Sequence, residues 1–304
     1  MPSVEHITVV GSVALDTIET PSGRVEETPG GSALYIGLAA SLFTRVHLVA
    51  VVGEDFPMEA LDFMRAREID LQGVTVEPGK TFRWEGRYHA DMNRRDTLRT
   101  ELGVFENFRP RLPADAAGAG YLMLANIDPD LQKGVLEQLP KPRLVAFDTM
   151  NHWIRDKKRR IEELIRQVDV VIVNDEEIDL LTGSGSLLAG AARITGLGPG
   201  YVVVKKGEHG ALLVGRDSAP FLCPAYPLSE AKDPTGAGDT FAGAMLGYLA
   251  ATGDTGSWSF RRAVVYGSIA ASFAVEDFGL ERLKALTTDE LEARFREFRS
   301  MVEF

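Results

Sequence analysis

Six stretches of the chain carry apolar residues in near succession rather than in alternation: ITVVGS (7–12), VHLVAVVG (46–53), YLMLAN (121–126), LVAFDT (144–149), VDVVIVN (168–174) and YVVVKKG (201–207). Rich in β-branched residues, each predicts a strand buried on both faces. Between them lie segments of helical length, at 32–43, 57–67, 130–139, 156–167, 187–195, 237–251, 260–275 and 289–302. Buried strands alternating with helices predict an α/β fold: a mostly parallel central sheet with helices on both faces. Ligands of such sheets bind at the carboxyl ends of the strands.

One region has a different period. Over 79–108, Phe82, Trp84 and Tyr88 alternate with Thr81, Arg83, Glu85, Arg87 and His89, and the polar run 91–96 interrupts the pattern. A period of two predicts an antiparallel hairpin turning at 91–96, outside the main sheet and with one aromatic face. A pair of strands is marginal alone, so something must cover that face. It is either a lid face or ordinary core. No internal repeat or low-complexity linker divides the 304 residues, and a single domain over 1–304 is expected.

Composition narrows the function. The formal charge of −11, from 33 basic and 44 acidic residues, argues against a nonspecific grip on nucleic acid or an anionic membrane. Cys223 is the only cysteine, and the five histidines lack metal-ligand spacing, which excludes a Cys-rich zinc site. MPSVEHITVV is too short and too polar for a signal peptide, and no apolar run of about 18 residues is present. A soluble, cytoplasmic protein is expected.

The chemistry concentrates in Asp233-Pro-Thr-Gly-Ala-Gly-Asp239, followed by the apolar run TFAGAMLGYLA. Small residues ahead of a buried helix predict a bare helix N-terminus, whose unpaired N–H groups and dipole favour an anion. On the residues alone, a structural turn with an acid in the first helical turn fits as well. The phosphate-loop pattern G-x-x-x-x-G-K-[ST] is absent, and GSGSLLAG from Gly183 lacks the third glycine of a dinucleotide fingerprint. An NAD-dependent oxidoreductase is accordingly disfavoured.

DPTGAGDTFAGAMLGYLA resembles the C-terminal signature of the ribokinase-like, PfkB-type carbohydrate kinases. Further landmarks follow that family's order: GSVALD (11–16), PGGSALYIGLAAS (29–41), VVGEDF (51–56), Asn174-Asp-Glu-Glu177 as N-x-x-E, and KKGEHG (205–210). The resemblance spans nearly the whole chain. It implies a ribokinase-like fold with a small β-strand lid built from about 13–30 and 79–108, and an ATP- and Mg²⁺-dependent transfer of phosphate to a hydroxyl of a small sugar or sugar derivative. A nucleoside kinase of the same fold, or a catalytically silent nucleotide or sugar sensor, are the alternatives.

The resemblance also implies roles for particular residues. The N–H groups of Gly236, Ala237 and Gly238 would form an anion hole for the γ-phosphoryl, and Asp239 would accept the proton of the acceptor hydroxyl. Asp16 would bind acceptor hydroxyls, Gly30 and Gly31 would let the acceptor approach, and Arg83 would reach it from the lid. Asn174, Glu177, Lys205, Gly207 and Gly210 fall on the nucleotide side, with Glu177 touching Mg²⁺ through water and Lys205 either reaching a phosphate or only ending its strand. Asp233 and Thr235 match residues that hold a monovalent cation such as K⁺ in some relatives. Two departures concern the acceptor: Ala14 stands where sugar kinases usually have asparagine, and Tyr35 replaces a polar residue in the helix after the glycine pair. Lids of this kind close over the acceptor or clasp a second subunit, so a homodimer through the lids is expected.

Overall fold

In the computed structural model, which describes residues 5–303, thirteen strands form two sheets. In chain order they are β1 Ile7–Val10, β2 Ala14–Thr20, β3 Gly23–Gly30, β4 Val46–Gly53, β5 Asp70–Glu77, β6 Phe82–Tyr88, β7 Arg95–Glu101, β8 Tyr121–Leu124, β9 Leu144–Asp148, β10 Val170–Asn174, β11 Tyr201–Lys205, β12 Ala211–Gly215 and β13 Ser218–Cys223. The larger sheet runs β13-β12-β11-β10-β9-β8-β1-β4-β5. Its pairings are parallel except β11–β12 and β12–β13.

The unbroken apolar runs follow from this burial. Val9, Leu48 and Val203 enter one core with Leu34 and Leu246, while Val10, Val49 and Val204 enter a second with Ile161 and Leu164. Successive residues of one strand thus feed opposite faces, and the buried polar side chains among them, Thr8 and His47, are hydrogen-bonded to Ala116 O and to Asp70. The first core is closed by the Ser32–Ser41, Ala237–Thr252 and Ser257–Ala274 helices, which pack on one another. The parallel strands β1, β8, β9, β10 and β11 bring their carboxyl ends to one edge, which is where the polar cluster described below lies.

The smaller sheet, β3-β2-β6-β7, is antiparallel at both outer pairs and parallel between β2 and β6. The hairpin expected over 79–108 is present, but its turn lies earlier. His89 N–H donates to Arg94 O, and Arg95 and Asp96 already belong to β7. Polarity hid this boundary, since every residue of β7 is exposed. Among the described residues, no helix is long and apolar enough to cross a membrane.

Candidate active site

The helix Ala237–Thr252 begins without a side-chain cap. Gly236 precedes it at φ 72°, and a methyl group there would meet the Tyr35 ring at 2.3 Å, so both backbone sign and space require glycine. Thr240 N–H returns to Gly236 O at 2.8 Å, the first helical bond. The expected trio of donors needs one correction. Ala237 N–H is turned to Pro234 O at 3.2 Å, whereas those of Gly236, Gly238 and Asp239 have no partner among the described residues. The bare end of the helix is therefore offset around Ala237.

Four other groups converge there. Lys205, the last residue of β11, lies beside Gly238, where an added methyl would come within 3.2 Å of its Nζ. The same Nζ donates to Asp148 Oδ2 at 3.2 Å, at the end of β9. Asn174 and Glu177 form a capping box: Asn174 Oδ1 accepts Glu177 N–H, and Glu177 Oε2 accepts Asn174 N–H, both at 2.7 Å. Capping does not exhaust Glu177, which is buried next to Lys205 and Asp148. Burial, opposed by Lys205 and reinforced by Asp148, pushes its carboxyl up to about 7. Asp239 is pushed up to about 7 as well, by burial and then by Asp148, with Lys205 and Arg95 opposing. Burial alone would lower the Lys205 ammonium, but Asp148, Glu177 and Asp239 together raise it.

On the other side stands Asp16, 4% exposed on β2. A methyl at Gly30 would overlap its Oδ2 at 1.9 Å, so glycine at the end of β3 is what leaves room for the carboxylate. Burial pushes Asp16 up to about 7; the Gly31 N–H pulls it down, and Asp233 and Asp239 push it further up. Gly31 starts the Ser32–Ser41 helix, whose Tyr35 presents a buried hydroxyl with no partner. Asn126 Oδ1, Thr149 Oγ1 and Asn151 Oδ1, just past β8 and β9, are buried without partners too. A cluster of unmatched polar atoms at strand ends is expected of a ligand site rather than of a core.

The small sheet lies across this cluster. Thr20 Oγ1 donates to Lys232 O at 2.8 Å, Thr235 Oγ1 to Tyr88 Oη at 3.2 Å, and Asn93 Nδ2 to Glu208 Oε1 at 3.2 Å. The last contact joins the hairpin turn to the 207–210 loop, where Gly207 and Gly210 have φ of 53° and 82°. Register settles which side chains of the small sheet face the cluster. Asp16 pairs with Trp84 and Tyr88 with Arg95, so these four share one face. Arg83 pairs with Leu15 on the opposite face, and its guanidinium is held by Glu27 at 2.7 Å and Asp55 at 2.8 Å. The structure thus departs from the expectation that Arg83 reaches the acceptor. Asp233 braces the loop below, each oxygen accepting a backbone N–H at 2.8 Å, from Thr235 and Gly279.

Residues 4–285 match the pfkB family carbohydrate kinases. The chain belongs to that family. It is a kinase of sugars or nucleosides, with a ribokinase-like fold. It is 32% identical over 246 residues to the cytidine kinase of Thermococcus kodakarensis, covering 79% of this chain and 87% of that protein. To the nucleoside kinase of Methanothermobacter thermautotrophicus it is 27% identical over 264 residues, covering 85% and 82%. The solved nucleoside kinase of Burkholderia thailandensis in complex with inosine superposes with a TM-score of 0.79 over 96% of this chain and 98% of that one; at 22% identity this likeness is one of fold.

For a PfkB-family kinase, two residues at the cluster escaped the sequence reading. Asp148 ends a strand whose position was legible, and an acid at the carboxyl end of a parallel strand was the available signal. Arg95 had none, because its strand is exposed throughout and its neighbours read as a turn.

Proposed function

We propose that this kinase transfers the γ-phosphoryl group of ATP to a ribose hydroxyl of a nucleoside. The 32% identity to a cytidine kinase over most of both chains carries this reading. Ala14 supports it: it is buried and offers a free sugar none of the hydrogen bonds that asparagine would. A free sugar or sugar derivative is the second reading, favoured by the family's general character.

In the proposed reaction Asp16 holds acceptor hydroxyls and the gap kept by Gly30 and Gly31 admits the ring. The acceptor oxygen attacks the γ-phosphorus, its proton passes to Asp239, and the bond to the bridging oxygen breaks to release ADP. The free N–H groups of Gly236, Gly238 and Asp239 stabilise the equatorial oxygens. Each such donor is worth about 2.7–4 kcal/mol in a dry site, against about 0.3–1 kcal/mol for an exposed dipole contact. Lys205 balances phosphate charge, and the 207–210 loop borders the nucleotide. Mg²⁺, when bound with ATP, neutralises phosphate charge. Glu177 would touch that ion through water, with the Asn174 N–H fixing its carboxylate. The spare lone pairs of Asp233, with Thr235, would serve a monovalent cation such as K⁺. The small sheet acts as the lid that excludes water.

ADP release across nucleosides, sugars, sugar acids and polyols tests the assignment. A nucleoside should exceed the best free sugar in kcat/KM by about tenfold or more, a difference of about 1.4 kcal/mol in transition-state binding. A sugar as best acceptor would replace the nucleoside.

A further inference from the structure

The small sheet and its turn carry the arginines Arg24, Arg83, Arg87, Arg94, Arg95 and Arg99. Five are neutralised locally: Arg24 by Glu19, Glu26 and Glu85, Arg83 by Glu27 and Asp55, Arg87 by Glu19, Arg94 by Asp91 and Arg99 by Glu101. Among the described residues, Arg95 forms no ion pair, although it lies on the face that covers an acid-rich cluster. Its position is fixed by other means. It is paired across the ladder with Tyr88, and its Cζ lies 5.2 Å from the centre of the Trp84 ring. Tyr88 is bound to Thr235 ahead of the bare helix end, and the turn just before Arg95 is bound through Asn93 to Glu208. The guanidinium is therefore held over the junction between the helix start and the nucleotide-side loop.

Charge makes the placement consequential. Asp16, Asp148, Glu177 and Asp239 gather at the cluster, and Lys205, a half-buried cation there, is already paired with Asp148. A polyphosphate and the charge that spreads over a transferring phosphoryl group require more positive charge than that. We infer that Arg95 is a catalytic residue carried by the lid, its guanidinium closing on the transferring phosphoryl group. The inference rests on the phosphotransfer reading above. Consistent with it, the charge of Arg95 bears on the far sides of the cluster together, lowering the pKa values of Asp16, Glu177 and Asp239.

The test compares Arg95→Met and Arg95→Lys with the parent and with Arg99→Met, a change of an exposed arginine on the same strand, using whichever acceptor the panel selects. Arg95→Met should lower kcat by about 10²–10³-fold while both KM values stay within about threefold, the pattern of an interaction made in the transition state. Arg95→Lys should recover part of the loss, and Arg99→Met should match the parent. Added guanidinium ion should revive Arg95→Ala but not Asp239→Asn. A kcat for Arg95→Met within about threefold of the parent, or a loss confined to acceptor KM, overturns the inference. The parent's acceptor profile judges the nucleoside reading, and the variant-to-parent ratio judges Arg95, so either can fail alone.

Discussion

In the proposed reaction Asp239 must be ionised to take a proton, yet burial and Asp148 push its carboxyl up to about 7. The acceptor-side kcat/KM should therefore rise with pH on a limb near 7, shared with Asp16 and Glu177 as a macroscopic titration. Lys205→Met should move that limb upward, because the ammonium lowers the Asp239 pKa. Stability should run the other way. Between an unfolded value of about 4 and the folded value, the native state holds protons that the unfolded chain has lost, so this contribution is complete below about pH 4 and lost as pH rises through 7. Tm should fall from about pH 5 to about pH 8, and Asp239→Asn should narrow that fall while abolishing turnover. A limb at the ordinary carboxylate position, or near-normal turnover of Asp239→Asn, would remove the assignment. The motif residues stood out because they follow the family's signature in order, where the small residues alone fitted a structural turn as well. The partners that set their pKa values, Asp148 and Arg95, come from distant strands, and no local spacing announces them.

At the scale of elements, β2 and β3 converge at the pair Ala14 and Gly30, and the Asp16 carboxylate occupies the space that a side chain at Gly30 would fill. Gly30→Ala should push that carboxylate aside, raising acceptor KM by about tenfold or more through loss of a charged contact of about 1.5–3 kcal/mol. ATP affinity should be kept, as calorimetry can check; unchanged acceptor affinity would mean that Asp16 does not bind the acceptor. The elements that were legible carry a clear pattern: β4 an unbroken apolar run, β6 an alternation, and the helices Leu187–Thr195 and Ala237–Thr252 apolar segments of helical length. Others were not. β5 mixes polar residues and a glycine, β12 is a buried apolar run of only five residues, and β13 is a largely exposed antiparallel edge strand. The helix expected at 156–167 begins at Asn151 but is broken at Lys157 (φ −131°, ψ 34°), whose ammonium is drawn to Asp128 and Asp130 at 2.7 Å. The sequence pattern had found the regular part beyond that break.

For the whole molecule, the aromatic face of the small sheet was the reason to expect a homodimer, and the chain itself covers much of that face. Phe82 stacks on Phe105 with centroids 5.4 Å apart, Trp84 lies under Arg95, and Tyr88 is buried against Thr235. What β7 leaves outward is Leu98, 45% exposed among charged neighbours, on an open strand edge. A stable interface buries about 800 Å² per partner around an apolar centre, and one leucine among arginines and acids does not supply it. A net charge of −11 adds repulsion between copies. The protein should therefore sediment as a monomer at micromolar concentration, and Trp84→Asp should act on acceptor turnover through the support of Arg95 without changing the sedimentation coefficient. A dimer that Leu98→Asp dissociates would restore the lid-to-lid clasp and place β7 at its centre.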